Sequence, residues 1–140
     1  MNISRTGIIL NTENYDECVS FYKNLFDLKI LFQEQDEDFK LTCFEIDGSY
    51  LMIETGGVAK PDGKSIEENS TKLRFNVLDV EEALSTVKAH GLEAKILRNA
   101  WGSTINIFDP DGNVPIAHIL PRDQVVVSQL PLLSHLSGMH

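Results

Sequence analysis

The hydrophobic and polar positions of the first half of this chain change period in a regular order. Residues 5–12 are rich in β-branched and apolar side chains, which predicts a strand. Residues 14–26 then carry apolar side chains at three- and four-residue steps, which predicts a helix. The pattern next predicts three strands, 28–35, 39–46 and 49–55, with Asp47-Gly48 as a short hairpin turn between the last two.

The second half predicts the same order of elements. A strand over 71–78 precedes a helix over 80–90, which ends before Gly91. Asp109-Pro110-Asp111-Gly112 predicts a turn, because proline presets one dihedral angle and glycine permits positive φ. The remaining predicted strands are about 93–98, 103–108 and 113–120.

Polar residues predict where each helix starts. Asn14 is the expected N-cap of the first helix, and Glu17 three residues later completes a capping box. Asp79 and Glu82 have the same spacing at the start of the second helix.

The two halves also match residue by residue. Sliding residues 6–23 onto 71–88, an offset of 65, aligns identical residues at five positions, including Asn11 with Asn76. Phe44, Asp47 and Gly48 match Phe108, Asp111 and Gly112 at an offset of 64. We therefore expect an α+β domain over residues 1–120, built from tandem βαβββ units. The expected divisions are units at about 3–57 and 70–120, a linker at 58–69 and an apolar tail at 121–140.

Three segments of the chain resemble the vicinal oxygen chelate superfamily, which includes glyoxalase I, bleomycin resistance proteins and extradiol dioxygenases. They are YDECVSFYKNLFDL at 15–28, FNVLDV at 75–80, and Ala100-Trp101-Gly102 followed by FDPDGN at 108–113. The resemblance covers about residues 3–120. It implies two curved, incomplete barrels that enclose a cleft, within one chain or across a dimer.

The resemblance also implies a position for each ligand of the metal ion that many members bind. The first-strand histidine of the family falls at Gly7, and its counterpart in the second unit falls at Lys72. Glutamate is retained at Glu54, and the family's spacing places the fourth ligand at Ile116. Three of four ligands are therefore missing, and no metal cofactor is expected. The internal offset of 64 instead aligns Glu54 with His118, which leaves a weaker alternative in which Glu54 and His118 bind a divalent metal.

Lys72 offers a different chemistry at the same place. Arg74 and Asn76 follow it at two-residue steps, so the three side chains share one face of the strand and suit a carboxylate or another oxygen-rich ligand. The same alternation permits an ordinary solvent face. Lys72 is also a candidate for an ion pair with Glu54. In a metal-free enzyme, Lys72 or Glu54 would instead be the acid/base catalyst. Further candidates for ligand contacts are Tyr50, Met52, Trp101 and Asn106, with core or dimer packing as the alternative for Trp101.

The composition of the chain limits the classes of molecule that it is expected to bind. Twelve basic and 21 acidic residues give a net charge of −9, which disfavours binding to nucleic acid or to an anionic membrane. The chain has no apolar run long enough to span a membrane and only two cysteines, so a cytoplasmic location is expected. The apolar tail favours a homodimer, or a cover over the chain's own cleft.

These observations leave three functional hypotheses. The first is a small-molecule-binding protein that has lost most of the metal site. The second is a lyase, isomerase or dioxygenase-type enzyme, either metal-dependent through Glu54 and His118 or metal-free with Lys72 or Glu54 as acid/base. The third is an interaction module whose tail docks a partner.

Overall fold

The computed structural model describes residues 1–119 and contains the order β-α-β-β-β twice. The first unit consists of β1 (Gly7–Thr12), α1 (Tyr15–Leu25), β2 (Lys29–Asp36), β3 (Phe39–Ile46) and β4 (Ser49–Thr55). The second unit consists of β5 (Arg74–Asn76), α2 (Val80–Ala89), β6 (Ile96–Asn99), β7 (Gly102–Asn106) and β8 (Ile116–Ile119). The α+β class and the predicted element order are confirmed.

Each unit forms one open four-stranded sheet with the same topology. The strand orders are β1-β4-β3-β2 and β5-β8-β7-β6. The first strand of each unit pairs in parallel with the last, and the other pairs are antiparallel. The two halves of the chain, which resemble each other in sequence, therefore also pair their strands in the same order.

The strands of the second unit are shorter than the sequence predicts. β5 spans three residues instead of 71–78, and β8 begins at Ile116 instead of 113. Proline cannot donate to a strand ladder, and Pro115 directly precedes β8. The predicted tail, residues 121–140, lies outside the described part of the chain.

The helices cover one face of each sheet. Leu51 and Ile53 of β4 are buried in a cluster with Cys18 and Tyr22 of α1. Ile105 of β7 is buried in a second cluster with residues of α2. Phe21 and Phe26 pack against both clusters, and Phe26 stacks on Phe75 with ring centroids 3.9 Å apart. The two units therefore share a continuous core on the covered side of their sheets.

The start of α1 differs from the prediction. The side chain of Asn14 makes no capping hydrogen bond. Instead, Asp111 of the second unit accepts hydrogen bonds from the backbone N–H groups of Glu13 (2.7 Å) and Asn14 (2.9 Å). The capping box at Asn14 is wrong: the Asn14 side chain does not cap the helix, and the backbone N–H of Asn14, which Glu17 would accept in a capping box, donates to Asp111 instead. The cap of α2 is confirmed, since Asp79 accepts from the N–H groups of Glu81 and Glu82.

Within residues 1–119, neither helix is long and apolar enough to cross a membrane.

Candidate functional site

The face of the first sheet opposite α1 carries the predicted site residues of β4. Tyr50, Met52 and Glu54 alternate with the buried Leu51 and Ile53. The parallel register places them beside β1 as the pairs Gly7–Tyr50, Ile9–Met52 and Asn11–Glu54. Because side chains alternate across a sheet, these three pairs share one face, which we call the open face of the first sheet.

The open face of the second sheet carries the predicted polar residues of β5. Arg74 and Asn76 are exposed, whereas Phe75 between them points into the core and stacks on Phe26. Lys72 is exposed and lies two residues before the strand. Strand alternation therefore holds for Arg74 and Asn76, while Lys72 extends the row beyond the regular strand.

The predicted pair between Lys72 and Glu54 does not form. The ion pairs among the described residues are Arg5–Glu45, Lys60–Glu68 and Arg98–Glu81. Lys72, Arg74 and Glu54 take part in none of them. The charges of these three side chains are thus available to a ligand as far as the described side chains, residues 1–115, are concerned.

Strand pairing supplies a second measure of which positions are equivalent in the two units. Asn76 pairs with His118 in the second sheet, just as its counterpart Asn11 pairs with Glu54 in the first. Arg74 pairs with Ile116. By backbone register, the counterpart of Glu54 is therefore His118.

The residues at the family's ligand positions do not fit a metal ion. Gly7 has no donor atom, Lys72 offers an ammonium group, and Ile116 has an alkyl side chain, which leaves Glu54 as the one carboxylate. The place beside Gly7 is also filled, because the ring of Tyr50 lies against it. Among the residues whose side chains are described, no three His, Cys, Asp or Glu come close enough together to hold a cation.

Trp101 and Asn106 lie at the two ends of β7. Trp101 is 65% exposed in the turn before the strand, so its alternative as a core residue was wrong. Asn106 is exposed and pairs with Ile116, which in turn pairs with Arg74. Asn106 and Arg74 therefore belong to one cross-strand row of the second sheet's open face.

A cavity of about 730 Å³ lies where the two units meet, between β1 and the segment that leads into β5. Its apolar wall includes Ile8 and Ile9 of β1 and Leu73, and its polar wall includes Asn11 and Lys64. None of the eight residues expected to serve catalysis or ligand binding lines this cavity. Asn106 instead borders a smaller hollow beside Lys95.

Linker residues form the polar wall of the large cavity. The ammonium group of Lys64 donates to Oδ1 of Asn113 at 3.0 Å, and Lys60 pairs with Glu68 at 2.8 Å. Hydrogen bonds from Lys60 and from Ser65 lower the pKa of Glu68 to about 2. The linker, predicted only as a polar connection, is thus hydrogen-bonded through Lys64 to the turn at 109–113 between β7 and β8, which we call the hairpin of the second unit.

Two buried carboxylates are the main feature that sequence reasoning missed. Asp109 accepts hydrogen bonds from Tyr22 and from the backbone and amide groups of Asn113. Asp111 accepts from the backbone N–H groups of the two residues that precede α1. The string FDPDGN was interpreted as a turn. The available signal that this turn is buried was the position of Asp109 and Asp111 between apolar segments of the sequence.

Neither cysteine is suited to nucleophilic chemistry. Both are free and buried. Burial raises the pKa of the Cys18 thiol, and the nearby Asp109 carboxylate raises it further. Burial likewise raises the pKa of Cys43. Both thiols therefore stay protonated at neutral pH.

This fold, with two βαβββ units in tandem and one open face on each sheet, defines a class of proteins. The model of the glyoxalase/bleomycin resistance protein/dioxygenase superfamily matches residues 3–114. The chain belongs to this superfamily.

Solved structures of low sequence identity share the fold. A glyoxylase/bleomycin resistance protein/dioxygenase domain from Frankia sp. EAN1pec is 14% identical, with a TM-score of 0.69 and coverage of 86% of this chain and 98% of that one. A mutant fosfomycin resistance protein from Listeria monocytogenes, complexed with Mn(II) and 1S,2S-dihydroxypropylphosphonic acid, is 21% identical, with a TM-score of 0.66 and coverage of 91% and 95%. Lactoylglutathione lyase from Agrobacterium tumefaciens is 17% identical, with a TM-score of 0.63 and coverage of 81% and 91%. No curated protein sequence matches the chain.

Proposed function

We propose that this superfamily member binds a small organic anion on the open faces of its sheets without using a metal ion. The observation that carries the proposal is the polar row of β5, in which Arg74 and Asn76 are exposed side by side. Arg74 has no carboxylate partner among the described residues. A guanidinium group with a neighbouring amide matches the acceptor geometry of a carboxylate.

The remaining predicted residues complete the proposed site. Lys72 adds a second positive charge to the Arg74 end of the row, and Asn106 lies in the same cross-strand row as Arg74. Tyr50 and Met52 supply an apolar surface on the first sheet, and Glu54 is its acid. We place Trp101 at the rim because it is exposed.

A thermal-shift screen tests the proposal. The protein is first treated with a chelator, and benzoate and oxalate are then compared with benzamide and oxamide, their neutral counterparts. A bound ligand raises Tm through its preference for the folded state. We expect the acids to raise Tm and the amides to have no effect. Arg74→Gln and Lys72→Ala should reduce the shift, whereas Lys88→Ala on α2 is the matched control for losing a surface charge.

The second candidate function is an enzyme that uses Glu54 with His118. The register favours it, because the two residues occupy equivalent positions beside Asn11 and Asn76. The fosfomycin resistance neighbour carries Mn(II) in its structure. Elemental analysis of the purified protein separates the two candidates. Near-stoichiometric manganese, zinc, nickel or iron that Glu54→Gln removes would support the enzyme and overturn the metal-free proposal.

We also propose that the protein forms a homodimer, based on the exposed apolar residues of the first sheet and its edges. The two free cysteines support a cytoplasmic location for it. Ile9 is 53% exposed on β1 and Phe32 is 44% exposed on β2. Light scattering after size-exclusion chromatography of the full chain tests this proposal. A mass of about twice 15.7 kDa supports the dimer, and a mass equal to that of one chain rules it out.

A further inference from the structure

The ring of Tyr50 lies across Gly7 on the open face of the first sheet. The two residues are direct partners in the parallel register of β1 and β4. A Cβ atom at residue 7 would come within 3.0 Å of Cδ1, Cε1 and Cζ of the Tyr50 ring. Gly7 is not among the residues with positive φ, so its backbone accepts any side chain. Contact with the ring, and not backbone conformation, is therefore what opposes a side chain here, and the ring would have to move to admit one.

Arg5 also contacts the Tyr50 ring. The guanidinium group of Arg5 lies 5.8 Å from the Tyr50 ring centroid, within the range of a cation–π contact. Arg5 is fixed in turn by an ion pair with Glu45 and a 2.7 Å hydrogen bond to the carbonyl oxygen of Ser49. Displacing the ring therefore also loses its contact with Arg5.

Among the residues whose side chains the structure describes, the second unit shows no comparable arrangement. Lys72 is the counterpart of Gly7, and at the offset of 64 the counterpart of Tyr50 is Val114. Lys72 is exposed and precedes the strand, so no aromatic ring covers it from a paired strand. Among the described side chains, an aromatic ring thus covers the first strand only in the first sheet.

We infer that the Tyr50 ring adds a steric barrier to the missing donor atoms, because it occupies the space of the side chain that would be the first metal ligand at residue 7. The inference rests on the proposed metal-free function. Returning a histidine to residue 7 does not restore a ligand while Tyr50 is present. The ring instead gives a bound molecule an aromatic surface at that place.

The stability of four proteins tests the packing claim: wild type, Gly7→His, Tyr50→Ala and the double variant. Overpacking at residue 7 should lower Tm by about 3–10 °C. The double variant should recover most of that loss relative to Tyr50→Ala alone. Ile9→His is the matched control, since it places an imidazole on the same strand and face where a side chain already exists. Tyr50→Ala should not rescue Ile9→His.

Gly7→Ala repeats the test with a smaller side chain in case Gly7→His does not fold. The inference is overturned if Gly7→His and Gly7→Ala are as stable as wild type. It is also overturned if their loss is the same with and without Tyr50. Neither result depends on whether the protein binds an organic anion, so the two proposals fail separately.

Metal binding tests whether the Tyr50 ring prevents a histidine at residue 7 from binding a metal ion. Zn(II) is titrated calorimetrically into Gly7→His/Lys72→His and into the same variant with Tyr50→Ala. We expect at least tenfold tighter binding when Tyr50 is absent. Equal, tight binding by both variants would contradict the inference.

Discussion

The phenol group of Tyr22 donates a 2.6 Å hydrogen bond to Oδ2 of Asp109, which lies 87 residues later in the chain. Tyr22 is fully buried on α1, and Asp109 is 3% exposed in the hairpin of the second unit. The bond therefore joins α1 of the first unit to the connection between β7 and β8 of the second unit. Burial raises the pKa of Tyr22 well above its usual value, and the Asp109 carboxylate raises it further, so the phenol remains the donor.

Removing that hydroxyl group should destabilise the whole domain. Tyr22→Phe leaves one lone pair of a buried carboxylate without its donor, which costs about 1–3 kcal/mol. Urea unfolding measures the change in the free energy of unfolding. Tyr50→Phe is the control, because the Tyr50 hydroxyl has no hydrogen bond among the described residues. Equal losses for both variants would mean that the Tyr22–Asp109 bond contributes nothing specific.

Asp111 should protect the start of α1 more than Asn14 does. Its carboxylate accepts from the N–H groups of Glu13 and Asn14, whereas the Asn14 side chain does not cap the helix. Asp111→Ala should therefore cost about 1–3 kcal/mol, and Asn14→Ala should cost less. Hydrogen exchange over residues 13–18 distinguishes the two. Faster exchange in Asn14→Ala than in Asp111→Ala would restore the sequence-based assignment.

The Lys60–Glu68 pair should give stability a component that depends on acid pH. The pKa of Glu68 is lowered to about 2 by hydrogen bonds from Lys60 and Ser65. A lowered pKa means that the stabilisation is complete above the ordinary value of about 4.3 and is lost as pH falls toward 2. The difference in Tm between wild type and Glu68→Gln should therefore shrink across this range. A difference that is constant from pH 6 to pH 2.5 would show that the pair contributes nothing.

Both thiols should be unreactive in the folded protein. Burial raises the pKa values of Cys18 and Cys43, so little thiolate exists at pH 8. We expect the aromatic disulfide reagent DTNB to modify the native protein at least tenfold more slowly than the urea-unfolded protein. Cys43→Ser identifies which thiol gives any fast phase, and a fast native reaction at Cys18 would contradict its burial.

The fold was predictable because it depends on local periodicity. Alternation along 49–55 and helical spacing along 14–26 each specify one covered face, and the repeat supplies the second copy. Strand ends in the second unit were not predictable to the residue, since Pro115 and the turn at 109–112 interrupt an otherwise apolar run. The hydrogen bond from the Asn14 N–H to Asp111, 97 residues later in the chain, is a tertiary effect that local spacing cannot show.

The candidate site was predictable only in part. Alternation correctly places Arg74 with Asn76, and Tyr50 with Met52 and Glu54, on the open faces. The contact between Gly7 and the Tyr50 ring depends on the β1–β4 register, which residue spacing alone does not give. The large cavity depends on how the linker folds back onto the second hairpin, so Lys64 gave no signal in the sequence.

Calorimetric titration of chelator-treated wild type and Arg74→Gln with benzoate and oxalate, and with their amides, most directly tests metal-free binding of an organic anion. We predict measurable binding of at least one acid by the metal-free wild type, no binding of the amides, and a loss of about tenfold or more in affinity in Arg74→Gln. Binding that appears only after Mn(II) or Zn(II) is added, or that Arg74→Gln leaves unchanged, would contradict the proposal.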